Sequence, residues 1–306
     1  MERRTLQSSP SILPLYARAA APLIPGASLL PFVPGRGSEV PEIELELTAV
    51  KADPERVAAY ARVCGFALRD DLPPSYPHVL AFPLHMAVMA DGKFPFGAVG
   101  LVHVENRIAQ HRRIGLDEEL TIRVRPTKLQ SHPKGRTFSL TTKATSGRQV
   151  VWESTSTMLR RGGGDGEAAK PGGEVAGEEA PELTAGSEWK LPGDLGRRYS
   201  AVSGDRNPIH MHSLSAKPLG FDRAIAHGMW TKARCLAALE SRLPDAFAVD
   251  VRFRKPILLP GTVELASAID GDRIEFAVRD AKRGTPHLDG HLEPLEAKPR
   301  SGRRTA

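Results

Sequence analysis

Two neighbouring stretches in the C-terminal half of the chain, YSAVSGDRNPIH at residues 199–210 and GFDRAIAHGM at residues 220–229, decide the fold. The first places a carboxylate, Asp205, five residues before an imidazole, His210. The second ends where His227 and Gly228 begin a predicted helix. A carboxylate and an imidazole beside a helix N-terminus provide what is needed to add water to an activated carbonyl compound, or to remove it.

The composition is that of a globular protein with one large or two ordinary domains. The chain has 306 residues, of which 41% are hydrophobic. Only two cysteines occur, Cys64 and Cys235, which favours a reducing compartment, so we expect a cytoplasmic protein without a disulfide framework. No apolar run approaches the ~20 residues of a membrane-spanning helix, and we expect no transmembrane segment.

The charge of the chain is mildly positive. Lysine and arginine number 42 against 36 aspartates and glutamates, a net charge of +6. This excess is dispersed, which argues against a nucleic-acid-binding protein. It suits an anionic small ligand, such as one that bears phosphates.

The domain organisation follows from composition. Residues 161–187 are rich in glycine, glutamate, alanine and proline, which predicts a flexible linker. It separates a domain at 41–160 from one at 188–298, and we expect a disordered basic tail at 299–306. In the N-terminal arm, residues 1–40, Tyr16 to Leu23 forms either a short amphipathic helix or, the preferred interpretation, part of a loosely docked arm.

The two domains repeat one pattern. Tyr60 to Phe66 aligns with Tyr199 to Asp205, and residues 81–86 align with residues 224–229. Each copy predicts one helix followed by several antiparallel strands, an α+β fold with the helix against a long sheet. The helix is predicted from Gly228 to Leu243 in the second copy and at Leu84 to Met89 in the first. Strands are predicted at 120–124, 138–144, 149–159, 248–254, 263–269 and 273–278.

The two motifs resemble those of the MaoC-like, (R)-specific enoyl-CoA hydratases, also called hydratase 2. The resemblance is dense over residues 199–262 and includes VRFRKPILLPG at 251–261. The whole chain is similar to the double hotdog (3R)-hydroxyacyl-thioester dehydratases of bacterial fatty-acid metabolism. This resemblance implies a double hotdog fold, in which two helix-plus-antiparallel-sheet repeats pack as a pseudo-dimer.

The same resemblance implies an activity: reversible hydration of trans-2-enoyl thioesters to (3R)-3-hydroxyacyl thioesters. The implied substrate is an acyl-CoA or acyl-carrier-protein thioester, so that CoA or the carrier protein belongs to the substrate and no separate cofactor is expected. A pseudo-dimer can be self-sufficient, yet an exposed face can still pair, which leaves a homodimer open. The alternatives are a non-catalytic acyl-thioester-binding subunit and a hotdog acyl thioesterase.

The resemblance implies that Asp205 and His210 are catalytic, with Asn207 and the Gly228 N–H as supporting groups. From the residues themselves, Asp205 and His210 can act through one shared water, and which is base and which is acid stays open. The Gly228 N–H, at a helix N-terminus, can hold the negative charge on the thioester oxygen. Glycine also allows a ligand to approach the backbone closely.

Several neighbouring residues have competing interpretations. His227 shapes the helix start or takes part in catalysis. Tyr199 and Ser203 either line the site or are satisfied in the core. His210 and His212 have no third ligand at suitable spacing, so no metal site is predicted. Lys232 either meets substrate phosphates or, the default, is a solvated surface residue.

The first half lacks the acid–base pair. Phe66 stands where the second half has Asp205, and no Asn-Pro or histidine follows in step. We therefore predict one active site per chain, with the first half acting as a structural partner or making room for a bulky acyl tail. Phe66, Met86 and Met89 are candidates for lining such a tunnel, and each is equally suited to plain core packing.

Overall fold

The structure, a computed structural model, describes residues 2–21, 37–162 and 183–296. The predicted tail at 299–306 and residues 163–182 of the predicted linker lie outside the described residues. No helix in the described ranges is long and apolar enough to cross a bilayer.

In the described residues of the first half, the chain forms three α-helices and seven strands. The helices are α1 (Ile12–Ala20), α2 (Pro54–Cys64) and α3 (Tyr76–Met89). The strands are β1 (Glu2–Leu6), β2 (Ile43–Val50), β3 (Val102–Gln110), β4 (Leu120–Pro126), β5 (Gln130–His132), β6 (Gly135–Ser146) and β7 (Gln149–Arg161).

Over residues 183–296 the second half forms four α-helices and five strands. The helices are α4 (Leu195–Ser203), α5 (Pro208–Met211), α6 (Ser213–Ala216) and α7 (Gly228–Ala238). The strands are β8 (Thr184–Leu191), β9 (Phe247–Phe253), β10 (Gly261–Asp270), β11 (Arg273–Asp280) and β12 (Pro286–Pro294). These strands and those of the first half cover five of the six strand segments predicted from the sequence and all but Arg254 of the sixth.

The two halves have the same sheet topology. The strand order is β2-β4-β6-β7-β3 in the first half and β8-β10-β11-β12-β9 in the second. In each half, the second of these five strands in chain order, β3 or β9, lies at the edge of the sheet that meets the other half. There β3 pairs antiparallel with β9, with Ile108 opposite Val249, and the halves form one continuous sheet. The predicted two-copy repeat is confirmed by this arrangement.

The helices that precede the central helix also match between halves. Both α2 and α4 end at a glycine in the left-handed conformation, Gly65 at φ 86° and Gly204 at φ 79°. Glycine adopts this conformation without the steric cost that a Cβ would bring, which ends the helix cleanly. The predicted alignment of Tyr60 to Phe66 with Tyr199 to Asp205 is therefore correct at the level of backbone geometry.

The central helices are buried because the sheet curves around them. Nearly every side chain of α3 is buried, and α7 buries Trp230, Ala233, Cys235 and Leu236. A helix enclosed in this way has an apolar surface on most sides rather than one stripe. Trp152, which is fully buried, donates its indole N–H to the Pro74 carbonyl at 2.8 Å beside the start of α3.

The structure corrects several element bounds. Helix α3 begins at Tyr76, well before the predicted Leu84. Helix α7 ends at Ala238 rather than Leu243, and a 3-10 turn follows at Glu240–Arg242. The Glu240 carboxylate accepts from the Ala67 N–H at 2.9 Å and from Arg69 at 3.1 Å, contacts with the first half that no local pattern encodes.

The N-terminal arm and the linker also differ from expectation. Residues 2–21 are not a loosely docked arm, since β1 pairs parallel with β2 and α1 buries Leu15 and Ala19. The predicted linker at 161–187 ends too late, because β8 already begins at Thr184 and pairs with β10. In each case the long-range strand partner supplies backbone hydrogen bonds that composition cannot reveal.

Candidate active site

The Asp205 carboxylate is held in place by its own loop and by the N-terminal helix. Its Oδ1 accepts from the Asn207 N–H at 3.1 Å and from the Tyr16 hydroxyl at 2.8 Å. Tyr16 in turn accepts from the Arg206 N–H at 2.7 Å, which fixes the orientation of its hydroxyl. The Asp205 side chain keeps 28% of its surface exposed, toward a cavity, and its Oδ2 has no hydrogen-bond partner among the described residues.

His210 lies on α5, a single turn that begins with Pro208 at its first position. Proline suits that position because its fixed φ is already helical and the missing N–H would have had no partner. The His210 Nδ1 lies 2.8 Å from the Ile225 carbonyl oxygen. A carbonyl only accepts, so Nδ1 carries the proton and the neutral ring presents Nε2 as an acceptor.

His227 stacks on His210 at the start of α7. The two ring centroids are 3.6 Å apart and the rings are inclined by 26°. The His227 Nε2 donates to the Asp205 backbone carbonyl at 3.1 Å, and it lies 3.9 Å from the Asp205 Oδ2. His227 therefore braces the loop that carries Asp205.

The environment favours an ionised Asp205. Burial raises the pKa of this carboxyl, but the neighbouring imidazoles and the hydrogen bonds to its Oδ1 outweigh that effect. The pKa of Asp205 therefore lies below its usual range.

The two stacked imidazoles are neutral. Burial lowers the pKa of His210 and lowers that of His227 to about 3. At neutral pH the site thus contains one carboxylate and two uncharged rings. Asp205 Oδ2 and His210 Nε2 have no partner among the described residues, and the Nδ1 of His227 is buried without one as well.

The first turn of α7 completes the site. Gly228 is its first residue, and the N–H groups of a first helical turn have no partner within the helix. A Cβ at Gly228 would lie 3.0 Å from the Phe253 ring, so any residue other than glycine would have to push that ring aside. The helix dipole adds partial positive charge here, which suits an oxygen that gains negative charge.

One cavity connects these groups to the first half of the chain. Its volume is about 840 Å³, and it reaches from Asp205 and His210 to α3, β3, β6 and β7. The size is that of a pocket for a ligand larger than a few carbon atoms. Exposed basic side chains stand on its rim: Lys134, Arg161, Arg252, Arg254 and Lys255.

Most of the residues predicted for the site do line this cavity: Tyr199, Ser203, Asp205, Asn207, His210, His227, Gly228 and Met89. Tyr199 packs against the His227 ring at 4.8 Å, and Ser203 accepts from the Asp205 N–H at 3.2 Å. The structure brings these residues together; their roles remain proposals.

Two candidates for lining the acyl tunnel are not in its wall. Phe66 stacks on Tyr60 in the core, with ring centroids 6.4 Å apart, and Met86 is 2% exposed. Both belong to the packing of the central core because helix packing, not apolar character, decides which side chains face a cavity.

Sequence reasoning missed Tyr16. Its contact with Asp205 spans 189 positions of sequence, and nothing in the local pattern around residue 16 signals it.

The prediction for Lys232 as a solvated surface residue is wrong. Its ammonium group is fully buried and donates to the Asn106 Oδ1 at 2.6 Å and to the Val249 carbonyl at 3.1 Å.

The side chains that could hold a metal ion differ from the pair considered in the sequence. Asp205, His210 and His227 each offer one ligand atom, and these atoms lie within 4.8 Å of one another. His212 instead lies beside Arg197, outside the cavity. Two neutral imidazoles and a carboxylate are ligands that Zn²⁺ accepts. The expected absence of a metal therefore stays a prediction.

Comparisons with known proteins place the chain in a family. The family model of the MaoC like domain matches residues 171–290. The chain is 38% identical over 291 residues to 3-hydroxyacyl-thioester dehydratase X of Mycobacterium tuberculosis, covering 94% of this chain and 100% of that protein. The chain belongs to the MaoC-like family.

Solved structures agree on the fold of this MaoC-like chain. The structure of HtdX from Mycobacterium tuberculosis superposes with a TM-score of 0.73 at 35% identity, covering 82% of this chain and 100% of that one. A Mycobacterium tuberculosis protein described as having a double hotdog fold superposes at 0.51 with 15% identity, over 85% and 96% of the chains. The predicted α+β double hotdog is confirmed.

Proposed function

We propose that this MaoC-like chain catalyses the reversible hydration of trans-2-enoyl thioesters to 3-hydroxyacyl thioesters. The observation that carries the proposal is the pair of unused acceptors, Asp205 Oδ2 and His210 Nε2, on one cavity wall beside the first turn of α7. The name of the relative, a 3-hydroxyacyl-thioester dehydratase, supports the same reaction class.

One water between Asp205 and His210 would satisfy both acceptors. A water donates two hydrogens, and the ionised carboxylate and the neutral imidazole each accept one. The ligand atoms of these residues lie within 4.8 Å of one another, a span that one bridging water covers. Water held in this way has its oxygen lone pairs free to attack.

The hydration step then balances with these two groups. The water oxygen forms a bond to C3 of the enoyl thioester while one of its protons passes to Asp205 or His210. The electrons of the double bond move toward C2 and the thioester carbonyl, and the same residue returns the proton to C2. Dehydration follows the reverse path, and which of the two residues takes up and returns the proton stays open.

The thioester oxygen gains negative charge in this step. We place it at the Gly228 N–H, where the first turn of α7 offers a free donor and the positive end of its dipole. Asn207 supports the site through its N–H to Asp205, and its Oδ1 is buried without a partner among the described residues.

The acyl tail would extend into the first half of the chain, past Val79 and Met89. The thioester's carrier, CoA or an acyl-carrier protein, would lie at the basic rim. Lys134 and Lys255 on that rim suit its phosphate groups. The first half thus serves as a binding partner without an acid–base pair of its own.

Three further expectations accompany this proposal. We propose that the enzyme needs no metal or separate cofactor, so EDTA treatment should leave its rate unchanged.

A cytoplasmic location is supported by two free, buried cysteines, Cys64 and Cys235. Whether two chains pair as a homodimer is tested by light scattering of the purified protein.

The test of the function is the loss of enoyl absorbance with trans-2-enoyl-CoA substrates of short and long chain. We expect the wild type to hydrate them, and Asp205→Asn and His210→Ala each to lower kcat by about 10² or more, the usual loss for acid–base groups. Asp270→Asn and His291→Ala, which change the same residue types outside the cavity, serve as matched controls. A folded wild type that hydrates neither substrate contradicts the proposal.

The rival functions give different readouts in the same assay. A thioesterase would release free thiol, whereas a hydratase keeps the thioester intact. A non-catalytic binding subunit would bind the thioester without turnover. Chiral analysis of the product tests the (3R) configuration that the family resemblance implies.

A further inference from the structure

The cavity wall in the first half carries three histidines, His78 and His85 on α3 and His103 on β3, which we call the histidine cluster. The centroid of the His78 ring lies 5.0 Å from that of His85 and 6.3 Å from that of His103. All three rings border the same cavity as Asp205. The proposed hydration mechanism uses none of them.

Two nitrogens of the histidine cluster have no hydrogen-bond partner among the described residues. These are the Nδ1 of His78 and the Nε2 of His103, both buried. In contrast, the Nε2 of His85 lies 2.7 Å from the Thr142 hydroxyl. A buried polar atom without a partner destabilises a fold, so these two atoms, in rings that line the cavity, mark a place where a polar group of a ligand would supply the missing hydrogen bonds.

The histidine cluster is uncharged at neutral pH. Burial lowers the pKa of His78 to about 4 and that of His103 to about 3, and it holds the pKa of His85 well below its usual range. A neutral imidazole offers one donor and one acceptor. The cluster therefore suits an uncharged oxygen group, a hydroxyl or a carbonyl, and not an anion.

The histidine cluster lies near the proposed position of the thioester, at Gly228. The His103 ring is 5.1 Å from the Phe253 ring, and that ring fills the space next to Gly228. The Asp205 carboxylate also acts on the pKa of both His78 and His103, opposing the effect of burial. A group bound at the cluster would thus be attached a few carbons beyond the double bond, not at the far end of a long chain.

The surrounding wall is also more polar than an aliphatic tail requires. Ser139, Ser156 and Thr157 line the cavity beside the histidines, and the hydroxyls of Ser139 and Thr157 lie 2.9 Å apart. These hydroxyls are already bonded within the protein, since Ser156 accepts from Asn106 at 3.0 Å, so the polar atoms that an aliphatic chain would leave unpaired are the two histidine nitrogens.

We propose that the histidine cluster binds a hydroxyl or keto oxygen on the acyl chain of the substrate. This inference rests on the proposed function and narrows its substrate class to enoyl thioesters that carry an oxygen substituent near the double bond. The cavity then recognises its substrate at two places, the thioester at Gly228 and the oxygen substituent at His78 and His103.

The test compares hydration of trans-2-dodecenoyl-CoA with a series of the same thioester bearing one hydroxyl at C5, C6, C7 or C8. We expect the wild type to prefer at least one hydroxylated substrate by about tenfold in kcat/KM, because unpaired site groups disfavour the analogue that lacks the oxygen. His78→Leu and His103→Phe should each reduce that ratio toward one, and circular dichroism checks that each variant is folded. His291→Leu, a histidine outside the cavity, should keep the preference.

The outcomes separate the inference from the function on which it rests. If the wild type hydrates every substrate equally well, or prefers the unsubstituted chain, the inference is wrong and the proposed function stands. A preference that survives in both variants also contradicts it. If the wild type hydrates no substrate, the proposed function is wrong, and the inference that rests on it is wrong as well. The ratio measured for the wild type tests the inference without any variant.

Discussion

At the scale of single residues, the two oxygens of Asp205 have different tasks. Its Oδ1 accepts from Tyr16 and from the Asn207 N–H, while its Oδ2 stays free on the cavity side. Tyr16 remains a donor because burial and the adjacent carboxylate raise its pKa. The tyrosine from the far N-terminus thus orients the carboxylate and supports its charge.

Replacing Tyr16 by phenylalanine tests this role. A hydrogen bond to a charged group contributes about 1.5–3 kcal/mol, so kcat should fall about tenfold or more, with KM changed little. The Tyr16 hydroxyl lowers the pKa of Asp205, so its loss raises that pKa. The acid limb of the pH–rate profile should therefore move to higher pH, which a purely structural defect would not cause.

Tyr60→Phe is the matched control for this substitution. Its buried hydroxyl bonds to Ser75 at 2.8 Å and does not contact Asp205. We expect a loss of stability in this variant without a shift of the acid limb. An unchanged acid limb in Tyr16→Phe would contradict the role assigned to Tyr16.

At the scale of elements, α1 and α4 meet at Gly204. This residue ends α4 in the left-handed conformation, and a Cβ on it would lie 2.5 Å from the Ile12 Cδ1 of α1. The same glycine therefore ends one helix and lets the other approach. Since α1 carries Tyr16 and Asp205 follows Gly204, the packing of two helices sets the geometry of the catalytic loop.

Gly204→Ala should accordingly damage activity as well as stability. The left-handed backbone alone costs a non-glycine residue about 1–2 kcal/mol. The Ile12 side chain would in addition have to give way beside the loop that carries Asp205, so we expect kcat to fall as well. Thermal melts and steady-state rates measure the two effects.

Gly220→Ala is the control that separates the strain of the left-handed backbone from the displacement of Ile12. Gly220 has a similar φ of 86°, and a Cβ on it would meet nothing within 4 Å. This variant should lose similar stability and keep its kcat. Equal kcat in the two variants would show that α1 packing is irrelevant to catalysis.

At the scale of the whole molecule, the joined halves enclose an unusual number of neutral histidines. Burial lowers the pKa of His78 to about 4 and those of His103 and His227 to about 3. In the unfolded chain the same side chains titrate near 6.5. Between these values the unfolded state binds more protons, so the free energy of unfolding falls as the pH falls below 6.5.

The expected loss at pH 5, relative to neutral pH, is on the order of 2 kcal/mol for each of these histidines. Urea unfolding at pH 7 and pH 5 measures it. His103→Phe should make the dependence on pH shallower, since one titrating group is removed. Equal stability of the wild type at the two pH values would mean that the histidines are not buried as neutral rings.

The sheet also decides where Lys232 lies. Its ammonium group donates to Asn106 on β3 and to Val249 on β9, the strands that join the halves. In the sequence a lysine on a helix predicts a solvated side chain. Only the pairing of β3 with β9 shows that this lysine is enclosed by both halves and fully bonded.

Local sequence patterns are enough for the repeated fold, for six of the twelve strands in the described residues and for the main site residues. Alternation of apolar side chains depends only on neighbours in the chain, and so β9, β10 and β11 were found from it. The spacing of Asp205, His210 and Gly228 is likewise short, so the motif predicted that they come together, and the cavity contains all three.

What only the tertiary structure decided depends on contacts between distant segments. Tyr16 meets Asp205, and His78, His85 and His103 meet in one wall, because the sheet and its two central helices bring separate stretches together. Contacts between distant segments also decide that Met89 lines the cavity and that Phe66 packs in the core. Hydrophobicity determines that a side chain is buried, since burial removes apolar surface from water, but the direction it faces is set by the packing of all the elements around it.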